Sequence, residues 1–117
     1  MNKAIDGLVV YDENGNAFSI PGPFVNMGQV REANHDRGNY WFSASSMRFF
    51  DSRVETDPIR GRCFISSERF HGSRGNSGPR LYTVRIVSDD GAVSTAAPGF
   101  QAFESRAEAI NWVIDNT

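Results

Sequence analysis

Cysteine and histidine are the side chains best suited to nucleophilic or proton-transfer chemistry near neutral pH. This chain has one cysteine, Cys63, and two histidines, His35 and His71. A cysteine nucleophile needs an imidazole within hydrogen-bond reach and a third group to orient it. Cys63 instead lies inside the run Arg62-Cys63-Phe64-Ile65, which reads as a strand, where a free cysteine behaves as a small buried hydrophobe. The same residues make a poor metal set, because the chain has no Cys-x-x-Cys and no histidine pair four positions apart. Asp51, Glu55 and Asp57 flank arginines and read as their surface partners, worth roughly 0–1 kcal/mol a pair. Asp89 and Asp90 read as turn residues. The loop Gly72-Ser73-Arg74-Gly75-Asn76-Ser77-Gly78 has the composition of a backbone anion nest. It lacks Walker spacing and precedes no helix, so it reads as a hairpin tip. These residues imply no catalytic constellation, no metal and no cofactor, and the expectation is a protein that is not an enzyme.

Binding chemistry is better represented. Residues 39–53 hold five aromatics, one methionine and two arginines. Arginine supplies a planar fork of donors and stacks on aromatic rings; with Trp and Tyr it dominates protein hot spots. The net charge of −2 hides a gradient: residues 1–30 sum to −2, residues 31–85 to +4 and residues 86–117 to −4. Eleven of the twelve cations are arginine. A basic middle interleaved with aromatics also suits single-stranded nucleic acid, but a pI near 5.6 disfavours a dedicated nucleic-acid binder. An acidic end facing a basic middle, together with open strand edges, allows a homodimer.

The elements that must position these residues follow from pattern. Gly7–Tyr11 and Ala17–Ile20 read as strands around the Asn14-Gly15 turn, stopped by Pro21-Gly22-Pro23. A short helix is expected around Met27–Ala33, ended by the polar run Asn34–Gly38. Asn39–Phe42 reads as a short strand or extended entry. Ser43 caps a helix running from Ala44 to Asp51 or Ser52, with Met47, Phe50 and Val54 on one face. Arg62–Glu68 and Arg80–Ser88 read as strands. In the second, Tyr82, Val84 and Ile86 face one way, and Leu81, Thr83, Arg85 and Val87 the other. Asp89-Asp90-Gly91 turns the chain into Ala92–Ala96, and Gly99–Phe103 is expected to add a strand. Ser105-Arg106-Ala107-Glu108 fits a capping box ahead of a helix burying Ala107, Ile110, Val113 and Ile114, with Trp112 at the edge of that stripe.

The fold expected is α+β: one domain over residues 1–117, with an N-terminal hairpin (1–23) and a core region (39–117). Its mostly antiparallel sheet is packed on one face by a short central helix and a C-terminal helix. Trp41, Phe42, Phe50, Phe64 and Tyr82 then fill the core. At 117 residues, 39% hydrophobic and 22% charged, the chain suits a globular domain with a core of its own. No apolar run reaches the ~20 residues of a membrane helix, the start lacks a signal-peptide pattern, and a lone cysteine fits a reducing compartment. The expectation is a cytoplasmic protein with no membrane partner.

Asn39-Tyr40-Trp41-Phe42-Ser43, Ser46-Met47-Arg48-Phe49-Phe50 and Ser52-Arg53, with Phe64-Ile65-Ser66-Ser67-Glu68, Arg80-Leu81-Tyr82-Thr83-Val84-Arg85 and Phe100-Gln101, resemble a group of small bacteriophage and prophage proteins that have no established biochemical role. The resemblance spans roughly residues 39–115 and leaves the N-terminal hairpin outside. It implies a bacterial host cell. It also implies a non-enzymatic phage or mobile-element protein that binds and modulates a host protein or ribonucleoprotein complex, of the anti-CRISPR or anti-defence kind. The alternative is a nucleic-acid-binding accessory protein using the arginine/aromatic middle. The residues a core needs least, and so the expected partner contacts, are Arg48, Phe49, Arg53, Arg60, Arg62, Arg69 and Arg74.

Overall fold

A computed structural model of the chain describes residues 7–11, 17–21, 24–49, 51–69, 78–88, 90–96 and 98–116. Strands β1 (Gly7–Tyr11) and β2 (Ala17–Pro21) pair antiparallel, from Gly7 opposite Pro21 to Tyr11 opposite Ala17; the Asn14-Gly15 turn expected between them lies outside the described residues. Helix α1 (Met27–Asp36) and the short helix α2 (Ala44–Phe49) follow. A four-stranded sheet is built from β3 (Arg53–Val54), β4 (Cys63–Glu68), β5 (Leu81–Val87) and β6 (Val93–Thr95), paired antiparallel in chain order. Helix α3 (Arg106–Asp115) closes the chain. The fold is α+β, as the sequence pattern implies.

The helices do not lie on one face. Every residue of β4 and all of β5 after Tyr82 is buried, the signature of a sheet covered on both sides. On one face Cys63, Ile65, Val84 and Ile86 pack with Ala96 and with Ala109 and Val113 of α3. On the other, Phe64 and Val87 pack with Met27 and Val30 of α1, flanked by Phe24, Trp41, Phe42, Val54 and Val93. Fully burying a side chain such as Phe64 or Ile65 is worth about 1.5–3 kcal/mol. Splitting the apolar residues of both central strands between two faces therefore requires two covers.

Local chemistry sets the boundaries. Asn26 caps α1, its Oδ1 accepting from Gln29 N–H at 3.0 Å, and Met27, Val30 and Asn34 face inward. The segment Asn39–Phe42, expected as a short strand or extended entry, forms no strand and turns at Trp41 and Phe42. Its backbone donors are spent on α1: Asn39 N–H on the Asn34 carbonyl (2.8 Å) and Trp41 N–H on Asn34 Oδ1 (3.1 Å). The expected cap of α2 forms, with Ser46 N–H donating to Ser43 Oγ at 3.2 Å. The helix stops at Phe49 because Asp51 turns left-handed (φ 46). Ser52 N–H then reaches the Met47 carbonyl (2.7 Å) and Asp51 N–H the Arg48 carbonyl (3.0 Å), a Schellman closure. Phe50, expected beside Met47 on the inner face, lies outside the described residues.

Two further expectations change. Gly99–Phe103 contributes only a bridge between Tyr82 and Phe103, since Gly99 (φ 137) and Gln101 (φ 56) bend the backbone away from a ladder. Helix α3 is capped by Ser105, whose Oγ accepts from Glu108 N–H at 3.2 Å. Its buried stripe, however, is Ala109 and Val113 flanked by Ile110 and Trp112, leaving Ala107 and Ile114 exposed. The face is turned from the expected one because Trp112, the largest side chain of the helix, takes part in the contact.

Candidate functional site: an aromatic cavity over a buried arginine

The strand register assembles the site. Phe64 pairs with Arg85, Ser66 with Thr83, and Arg85 in turn with Thr95. Directly opposed residues share a face, so these side chains and Glu68 gather on the side of the sheet away from α3. Glu68 is fully buried and Arg85 is 8% exposed. Glu68 Oε1 accepts from Thr83 Oγ1 (2.6 Å), and Oε2 from Ser66 Oγ (2.5 Å) and Arg85 Nη2 (3.1 Å). Arg85 also donates from Nε to Ser66 Oγ (2.9 Å) and from Nη1 to Thr95 Oγ1 (2.8 Å). Each charged side chain of this network is held by several partners, the condition under which a buried ion pair is tolerated.

Above Arg85 opens a cavity of about 670 Å³ lined by Trp41, Ser45, Ser46, Phe49, Ser52, Arg85 and Phe100. Three separate devices place its aromatic walls. Trp41 is held by the Asn34 bond and by edge contacts with Phe42 and Phe64, ring centroids 4.8 and 5.7 Å away. Asn34 is itself fixed, its Nδ2 donating to the Gly91 carbonyl at 2.6 Å. Phe49 ends α2, whose closing residue Asp51 is clamped by Arg80: Nη1 donates to the Asp51 carbonyl (3.0 Å), and Nη2 lies 3.0 Å from Asp51 Oδ2. Phe100 precedes the strained Gln101, whose N–H donates to Thr83 Oγ1 (2.8 Å) and whose Nε2 donates to the Glu68 carbonyl (3.2 Å). The Trp41 and Phe100 rings each lie 5.3 Å from Arg85 Cζ, a double cation–π arrangement.

Of the expected contact residues, Phe49 lines this cavity and is 77% exposed. Arg48 beside it on α2 and Arg53 on the edge strand β3 are exposed. Arg60 is exposed in the tight turn before Gly61, at φ 56. Arg69 is exposed, and its Nε donates to the Gly78 carbonyl at 3.0 Å. Arg62 is a correction. It is 1% exposed, donates from Nη1 to the Val87 carbonyl (2.9 Å) and lies over the Phe24 ring, so it belongs to the interior and not to a contact surface. Arg74 and His71 lie outside the described residues. The sequence reading missed Arg85, Trp41 and Phe100 as site residues. The signal available was a pair of opposite charges, Glu68 and Arg85, inside two strands otherwise rich in apolar residues.

Cys63 faces α3 on the opposite side of the sheet, and burial pushes its thiol up to about 12. At neutral pH it is a protonated core residue and not a nucleophile. His35 is exposed and meets the Tyr40 ring edge-on at 5.8 Å. Among the described residues no three His, Cys, Asp or Glu side chains gather as a metal site, and no helix is long and apolar enough to cross a membrane.

No curated protein and no solved structure matches the chain. A family model matches residues 26–113, from the α1 cap into α3, so that the whole site lies inside the match and the β1–β2 hairpin outside it. The chain belongs to a family of unknown function, DUF7447.

Proposed function

We propose that this is a non-enzymatic phage or mobile-element protein that binds and modulates a host protein or ribonucleoprotein complex in the bacterial cytoplasm, an inhibitor of the anti-CRISPR or anti-defence kind. The observation that carries the reading is Phe49, a large apolar side chain 77% exposed at the rim of an aromatic cavity. Tyr40 (62%) and Phe100 (42%) are exposed as well, and Arg48 and Arg53 add charge. Exposed aromatics with arginine are the composition of a binding hot spot. The buried acid and base of the site support binding over catalysis, since both oxygens of Glu68 are already occupied by donors. Arg48 and Arg53 would offer bidentate contacts to carboxylate or phosphate, and Phe49 the apolar anchor.

Affinity capture from host lysate tests the reading. The intact protein should recover a defined complex, and Phe49→Ala and Arg53→Glu, both at exposed positions, should lose it while remaining folded by circular dichroism. Equal recovery by all three proteins would remove this face from the proposal.

A further inference from the structure

The donor count at Arg85 defines what the cavity can hold. A guanidinium has five N–H groups. Nε donates to Ser66, one Nη1 hydrogen to Thr95 and one Nη2 hydrogen to Glu68. Among the described residues, one N–H therefore remains on each terminal nitrogen. The Trp41 and Phe100 rings flank the group, each 5.3 Å from Cζ. Its charge is balanced by Glu68, 3.1 Å away and fully buried, so an added anion gains little over a neutral acceptor. What the cavity presents is a pair of edge donors beside two aromatic rings. Its volume, about 670 Å³, falls within the ~300–1,000 Å³ of small-ligand sites.

We propose that this cavity binds a guanine base, stacked on the aromatic lining of Trp41 and Phe100, with O6 and N7 accepting the two remaining N–H groups of Arg85. The proposal goes beyond the protein contact described above and stands independently of it. Guanine places two adjacent acceptors on one edge of a flat ring, and arginine reads that edge bidentately. Adenine puts an amino group where O6 would be and sets donor against donor. Aromatic walls contribute stacking to any base, so the rings supply affinity and Arg85 the choice of base. Ser45 and Ser52 line the same cavity and add hydroxyls to its wall.

Isothermal titration calorimetry on the full chain tests this with guanosine, adenosine, benzoate and short single-stranded oligonucleotides with and without guanine. Guanosine should saturate the protein, with adenosine at least about tenfold weaker, the range of one bidentate base contact. Phe100→Ala, at an exposed position, should weaken guanosine about fivefold or more through lost stacking. Arg85→Lys should erase the preference over adenosine. Saturation by guanosine alone assigns a free nucleoside or nucleotide; saturation only by guanine-bearing oligonucleotides assigns a base within a strand. Equal affinity for guanosine and adenosine, tighter binding of benzoate than of guanosine, or no saturation by any guanine-bearing probe at millimolar concentration overturns the proposal. Those failures leave Phe49-dependent capture of a host complex untouched, so the two readings fail separately.

Discussion

Glu68 and Arg85 form a buried ion pair, their closest approach 3.1 Å. Charged groups are almost never buried unless paired, and this pair is completed by three hydroxyls, Ser66, Thr83 and Thr95. Removing one charge from a buried pair strands the other. Glu68→Gln is therefore expected to cost about 3 kcal/mol in urea unfolding. Asp51→Asn, at the partly exposed Arg80 pair, should cost less than about 1 kcal/mol. Equal losses would mean that the network is not the buried device described. Cys63 gives a pH test. Its thiol rises from the ordinary 9.0 to about 12 in the folded chain, so above 9.0 the unfolded chain loses its proton first. The contribution is complete below 9.0 and is lost as pH rises toward about 12. Stability should fall across that interval, Cys63→Ala should flatten the fall, and a thiol reagent at neutral pH should label only unfolded protein. At this scale the sequence told much of the story for Cys63, a lone thiol in an apolar run. It said little for Arg62 and Arg85, because residue type alone does not say which arginines the fold covers.

At the scale of elements, the connections decide where the walls of the cavity stand. The β5–β6 turn meets the end of α1 with almost no space. A Cβ at Gly91 would sit 2.4 Å from the Ala33 carbonyl carbon and 2.5 Å from its oxygen, and φ there is +82°. Gly38 has a similar φ of +76° and nothing within 4 Å. Gly38→Ala should cost about 1–2 kcal/mol, the left-handed penalty alone. Gly91→Ala should cost at least about 3 kcal/mol, because backbone atoms cannot rotate aside, and should loosen Trp41 through Asn34. Similar unfolding midpoints for the two variants would contradict the contact. Strands β4 and β5, the Ser43 and Ser105 caps and the alternation in β5 were readable because propensity, period and caps agree there. The turn at 39–42, the two-residue β3 and the lone bridge at Phe103 were not. Their hydrogen bonds go to an Asn34 side chain, to β4 and to Tyr82, partners that periodicity and propensity do not single out.

At the scale of the molecule, α3 and α1 divide the sheet into two unequal faces. The α3 face is a plain apolar core around Cys63, Ile65, Val84 and Ile86. The α1 face is a core only in part; beyond Phe64 and Val87 it passes into the Glu68–Arg85 network and the cavity. The dense block at 39–53 straddles that boundary, which is why its composition reads equally well as core and as surface. Trp41 and Phe42 go inward, while Arg48, Phe49 and Arg53 stay outside. The proposed function places partner contact on this face, and position 49 reports on it directly. A photoreactive amino acid at Phe49, activated inside the bacterial host, should crosslink a specific host protein. The same group at Ile114, exposed on α3, should not. Crosslinking of the same proteins from both positions, or of none from Phe49 in a folded protein, would contradict the account.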